Sequence, residues 1–142
     1  MIQIRRSAIV RYSQVQMFDL VNDVEAYPRR FAWCASAKVL ERDTYALTAC
    51  LELSIAGMST EFTTRNTLDP PHRIALQLVE GQFRQLSGKW EFTALGGGSK
   101  VALELDFDYA GRLLAPVMRA GFQKLADRMV DEFCREAERL YG

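Results

Sequence analysis

Histidine occurs once in the 142 residues, as His72, and cysteine three times, as Cys34, Cys50 and Cys134. The lone imidazole lies in the proline-rich turn Asp69-Pro70-Pro71-His72. A histidine-based metal site, a Ser-His-Asp set and a Cys-His pair all lack supporting residues there, so His72 reads as a surface loop residue. The cysteines are odd in number, widely spaced and without a C-x-x-C motif, which excludes zinc and dithiol chemistry; they read as small buried apolar side chains. An excess of either charge is also missing, because 18 basic residues balance 18 acidic ones. With a mean hydropathy of −0.11, that balance argues against a disordered tail, a polycation or partners held by bulk charge, DNA among them. No run approaches the ~18 apolar residues that cross a bilayer, and the N-terminus lacks the apolar core of a secretory signal. The expected location is the cytoplasm, at most peripheral to the inner membrane. Gly96-Gly97-Gly98 does not open a helix, which makes it a hairpin turn and not a phosphate loop.

What is present is apolar residue, 49% of the chain, and a clear periodicity. One domain, residues 1–142, is expected, with about two-thirds of the unfolded chain's surface buried on folding. Ile2, Ile4, Ala8 and Val10 share one parity and make a first strand, broken by Arg6. Ser13-Gln14-Val15-Gln16 fits a capping box, after which Met17, Leu20, Val21 and Val24 line one side of a helix. A second short helix spans Val24 to Tyr27 and stops before Pro28, which disfavours helical geometry at the residue preceding it.

From about residue 35 to residue 109 the period is two. Tyr45, Leu47, Ala49, Leu51, Leu53 and Ile55 alternate with polar residues, Phe62 lies between Thr60 and Thr64, and Val101, Leu103, Leu105, Phe107 and Tyr109 close the series. Glu104, Asp106 and Asp108 fall on the opposite parity to Phe107, hence in solvent and not in a paired-carboxylate site. One-sided alternation with short turns means an antiparallel sheet. A long amphipathic helix from about Leu113 to Leu140 ends the chain, with Leu114, Met118, Phe122, Leu125, Met129, Phe133, Ala137 and Leu140 as its apolar stripe.

The order predicts an α+β chain: about seven antiparallel strands with a long C-terminal helix as their main cover and two short helices after the first strand, the sheet either curling around the long helix or leaving a groove beside it. Seven strands ~4.8 Å apart make a sheet roughly 30 Å wide, whereas a helix covers only ~10 to 12 Å. One helix leaves part of that face uncovered. Small residues at Ala115, Gly121 and Ala126 in the stripe, and Gly88 on the Trp90 face, favour residual space that an apolar ligand fills. Thr60, Thr64 and Asn66 share the Phe62 parity. Such inward polar groups either bond locally or aim hydrogen-bond donors at a ligand's oxygens. Residues 1–40 carry six basic side chains against three acidic ones, so Arg5, Arg6, Arg11, Arg29 and Arg30 are candidates for contact with anionic lipid or ribosomal RNA.

Several segments in combination are distinctive: Val21-Asn22-Asp23-Val24-Glu25-Ala26-Tyr27-Pro28, then Phe31-Ala32-Trp33-Cys34, the run from Leu53 to Asn66, and the run from Gly81 to Phe92. Together with the terminal Phe122–Gly142 helix, they resemble the coenzyme Q-binding, START-like family that includes bacterial ribosome association toxin A. Ala32 departs from the pattern, which usually has proline before Trp-Cys. The resemblance covers essentially the whole chain. It implies a helix-grip fold with a hydrophobic tunnel, ubiquinone as the bound ligand and no catalytic cofactor, and support of respiratory electron transport without enzymatic activity. For the bacterial branch it implies, alternatively, a toxin that binds the large ribosomal subunit and blocks subunit joining. A cyclase of the polyketide type shares the fold, but no inward acid or base emerges for it. The resemblance marks Tyr27, Pro28, Phe31, Trp33 and Cys34 as the entrance and Phe62, Phe83, Leu86, Trp90 and Phe92 as sheet lining; periodicity adds Thr60, Thr64, Phe107, Met118, Phe122, Leu125 and Met129.

Overall fold

The computed structural model describes residues 1–110 and 116–142. Its element order is β1 (Ile2–Val10), α1 (Gln14–Asn22), a 3-10 turn (Val24–Ala26), α2 (Tyr27–Arg30), β2 (Cys34–Arg42), β3 (Ala46–Ile55), β4 (Met58–Asp69), β5 (Arg73–Gly81), β6 (Phe83–Leu95), β7 (Gly98–Tyr109), α3 (Pro116–Asp127) and α4 (Met129–Tyr141). The strands form one antiparallel sheet ordered β1-β7-β6-β5-β4-β3-β2, so the first strand returns to pair with the last.

Local chemistry explains the helix starts. Ser13 Oγ accepts from the Gln16 N–H at 3.1 Å while Gln16 Oε1 accepts from the Ser13 N–H at 2.8 Å, the reciprocal capping box expected at α1. Pro28 acts differently from expectation. Tyr27 adopts helical geometry, φ −54° and ψ −43°, and Pro28 lies in the first turn of α2, which runs on to Arg30. A proline needs no partner for the N–H it lacks at that position, so here it opens a helix. At Ala32 the turn closes by a bond from Cys34 N–H to Phe31 O, 3.2 Å.

The sheet's inner face follows the parity. Leu47, Ala49, Leu53, Ile74, Trp90, Phe92, Val101, Leu103 and Phe107 are all buried. Tyr45, 65% exposed, lies in the turn before β3 and does not join that face. In β6 both Phe83 and Leu86 face inward although three residues apart, because the register against β7 slips between Phe83 and Gln85. His72 is exposed, as expected, with Nδ1 3.1 Å from Gln14 Nε2. Of the cysteines only Cys34 is buried; Cys50 and Cys134 are half-buried.

The C-terminal cover is two helices, not one. At Arg128 the backbone lies at φ −104° and ψ 9°, and its N–H is shared between Lys124 O at 3.3 Å and Leu125 O at 3.2 Å. The hydrogen-bond ladder tightens and breaks at that one residue. Leu113, Leu114 and Ala115, read as the start of this helix, lie outside the described residues, and Leu140 at the far end is 38% exposed.

Two glycines read as space-makers have another role. A Cβ on Gly88 would stand 2.3 Å from Glu104 O, and one on Gly121 would stand 2.2 Å from Ile55 Cγ2. Both mark close approach of neighbouring elements, not residual volume.

Candidate functional site

A cavity of about 110 Å³ lies between the sheet and the two C-terminal helices. Strands β3 to β7 supply one wall through residues such as Leu51, Leu53, Phe62, Leu76, Leu86, Trp90, Leu103 and Leu105. The opposite wall is Phe122 and Ala126 on α3 with Met129 and Phe133 on α4, so the break at Arg128 sits directly over the cavity. Val24, Tyr27 and Trp33 complete the lining from the short helical corner. Of the small residues expected to leave room, Ala126 alone among those described does so.

The cavity brings together half of the expected lining. Trp33, Phe62, Thr64, Leu86, Trp90, Phe122 and Met129 border it. The other seven are buried but do not border it. Phe31 stacks on Trp33 at 4.9 Å and meets Phe133 at 4.8 Å. Phe83 lies 4.9 Å from Phe122, and Phe107 lies 5.0 Å from the same ring. Phe92 packs between Phe18 and Trp90, Leu125 faces a surface groove beside Gly121, and Met118 and Thr60 are buried elsewhere. Parity separates the faces of a strand but not the positions along it, which is why the two sets looked alike. Phe133 and Leu103 were legible as inward residues, yet nothing local distinguishes them as lining.

Polar atoms in this lining are few. The Thr64 hydroxyl donates to Asn66 Oδ1 at 2.9 Å, and both residues are buried. The Tyr27 hydroxyl donates to Val21 O; burial first, then the nearby Cys34 and Asp23, raises its pKa well above the usual tyrosine range. A phenol so held stays protonated and is no base. Cys34 is likewise raised, to about 11, chiefly by burial, and its thiol donates to Ser36 O at 3.3 Å. Trp33 Nε1–H is taken up by Glu132 Oε1 at 2.9 Å, which fixes the indole plane between cavity and groove. The arrangement holds a mostly apolar guest by burial and dispersion, with one polar corner to orient it. Among the described residues no cluster of His, Cys, Asp and Glu could hold a metal ion, and no helix is long and apolar enough to cross a membrane.

The five arginines do not form one basic patch. Arg5 bridges Glu104 and Asp106 at 3.5 and 3.0 Å, Arg6 meets Asp127 at 2.5 Å, and Arg11 donates to Gly142 O. Arg30 turns inward to Glu136 at 3.2 Å. Arg29 is exposed, with neither an ion pair nor a side-chain hydrogen bond among the described residues. Glu104, Asp106 and Asp108 lie on the outer face in ion pairs, as their parity required.

Comparison with known proteins agrees with this geometry. The chain is similar to ribosome association toxin RatA of Pseudomonas aeruginosa, 43% identical over 140 residues that cover 98% of this chain and 97% of the toxin. It is more distantly similar to the mitochondrial coenzyme Q-binding protein COQ10 homolog B of Xenopus laevis, 26% identical over 146 residues, 99% of this chain and 60% of that protein. In fold it matches the Zhui aromatase/cyclase from Streptomyces sp. R1128 with a TM-score of 0.86 at 21% identity, across 99% of this chain and 96% of that one. Residues 10–134 match the model of the polyketide cyclase/dehydrase and lipid transport family, and with a START-like sheet closed over an apolar cavity the chain belongs to that family, in the branch that holds the ribosome association toxins.

Proposed function

We propose that this protein associates with the ribosome as a toxin does, occupying the large subunit so that it no longer joins the small one. The observation that carries this reading is the 43% identity to a ribosome association toxin along nearly the full length of both chains. Raised expression is expected to shift ribosomes from joined particles to free subunits on a sedimentation gradient, with the protein itself in the large-subunit fractions. A protein that stays at the top of the gradient, with the subunit ratio unchanged, rules the reading out. Arg29 is a candidate phosphate contact, since its guanidinium is exposed and has no ion-pair partner among the described residues. Reversing its charge would weaken association and lower its salt slope by about one.

A second reading rests on the cavity: the protein holds a hydrophobic isoprenoid quinone, with ubiquinone the expected ligand. Its support is the apolar lining and the distant similarity to a coenzyme Q-binding protein. About 110 Å³ is well below the roughly 300–1,000 Å³ of common ligand pockets, so the volume suits a ring and the start of a chain, and a longer tail must lie outside it. Organic extraction of protein purified from its native host, followed by mass spectrometry, is expected to release a quinone. Extracts without quinone, combined with no uptake of added quinone, exclude this reading.

A further inference from the structure

Building on the hydrophobic-ligand reading, we propose that Asn66, oriented by Thr64, is the polar anchor of the cavity and selects a neutral, flat, carbonyl-bearing ring over a fatty acid or other anion. Both side chains are more than nine-tenths buried, at 7% exposure each. They stand two residues apart on β4, hence on one face, and both border the cavity. The Thr64 hydroxyl gives its proton to Asn66 Oδ1 at 2.9 Å. That bond takes one of the two lone pairs of the carboxamide oxygen and leaves the N–H donors for whatever fills the space. A ligand answering that donor must bring an acceptor oxygen.

Charge narrows the class. Among the described residues Tyr27 is the one titratable side chain in the lining, and its hydroxyl is already given to Val21 O. A carboxylate placed there would meet no cation among the described lining residues and would lose its hydration without compensation, which disfavours an anionic guest strongly. A neutral carbonyl costs far less to bury and recovers its hydrogen bond from Asn66. Shape narrows it further, since the rings of Trp33, Trp90 and Phe133 also border the space and present faces and edges suited to a flat ring. From Asn66 to Phe62 the lining runs about 13 Å along β4. A ring held at Asn66 therefore leaves its substituent pointing along the strand towards Phe62 and Phe122.

The test uses the two tryptophans of the chain, Trp33 and Trp90, both of which border the cavity. Their fluorescence reports binding of a ubiquinone analogue with a ten-carbon chain; decanoic acid and decylbenzene are measured by displacement. Wild-type protein is expected to bind the quinone at least tenfold more tightly than decanoic acid. Asn66→Leu should weaken the quinone about tenfold and leave decylbenzene within twofold, the loss of one buried hydrogen bond. Unchanged quinone affinity in Asn66→Leu, or decanoic acid bound as tightly as the quinone, overturns the anchor while leaving the cavity a ligand site. Wild-type protein that takes up none of the three overturns both. Should Asn66→Leu fail to fold, Thr64→Val keeps the shape and removes the orienting hydroxyl; a weakening of about fivefold is then expected, and no change overturns the proposal.

Discussion

Phe133→Ala is expected to remove about 3–5 kcal/mol of stability, lowering the melting temperature by roughly 10–15 °C for a chain of this length. Phe133 is 1% exposed and is the ring on which the helical corner and the sheet meet. It lies 4.8 Å from Phe31, 5.5 Å from Tyr27 and 5.2 Å from Trp90, edge-on in each case. Truncation forfeits the burial of the ring and these edge-to-face contacts together. The vacated space also opens into the existing cavity, so it stays apolar and is filled poorly by relaxation. Urea and thermal unfolding followed by two coincident probes would measure the loss. A small aromatic such as toluene should restore part of it by binding the enlarged space. A loss under about 1.5 kcal/mol would mean that α4 is not seated on the aromatic cluster as described.

Arg30→Leu is expected to cost about 2–3 kcal/mol, and the double change Arg30→Leu with Glu136→Leu to recover most of that loss. Glu136 is the buried carboxylate of α4, its side chain 7% exposed, against 13% for Arg30. Removing one member of such a pair leaves the other charge in a poor medium, whereas replacing both with apolar groups removes the desolvation penalty as well. The exposed Arg139 also chelates Glu136, with contacts of 2.5 to 3.2 Å, which keeps the expected loss below that of an isolated buried pair.

The same contacts set a pH dependence. Hydrogen bonds from Arg139 first, and then from Arg30, hold the Glu136 carboxyl below the usual carboxylate range despite its burial. The folded state therefore binds fewer protons than the unfolded chain, whose glutamates titrate near about 4.3. Stability from this group is full above that value and disappears as the pH falls through the lower folded value. Unfolding profiles between about pH 5 and 2 should flatten in Glu136→Gln relative to wild type. Equal slopes for the two proteins would show that the pair contributes nothing to acid stability.

Most of the architecture was legible because it depends on local periodicity. Alternation along Leu47–Ile55 and Val101–Phe107 needs only a half-buried strand, and the Ser13/Gln16 box needs only one turn of helix. The failures share a cause. Glu136 is not singled out by the periodicity, because its partner Arg30 comes from α2, 106 residues away. Arg128 carries no proline or glycine to announce a break. Gly88 and Gly121 leave room that backbone and side chains from β7 and β3 then take up.

The candidate site divides in the same way. That Phe62, Thr64 and Asn66 face inward follows from the period of a strand, and that the face exceeds one helix follows from strand count and spacing. Which inward residues meet empty space is settled by the register slip in β6, the placement of two helices instead of one, and the stacking of Phe31 behind Trp33. Balanced charge and the absence of a histidine centre, plain in the composition, removed whole classes of chemistry. Only tertiary packing left a cavity of about 110 Å³ beside one carboxamide, because a void is a mismatch between surfaces that meet from distant parts of the chain.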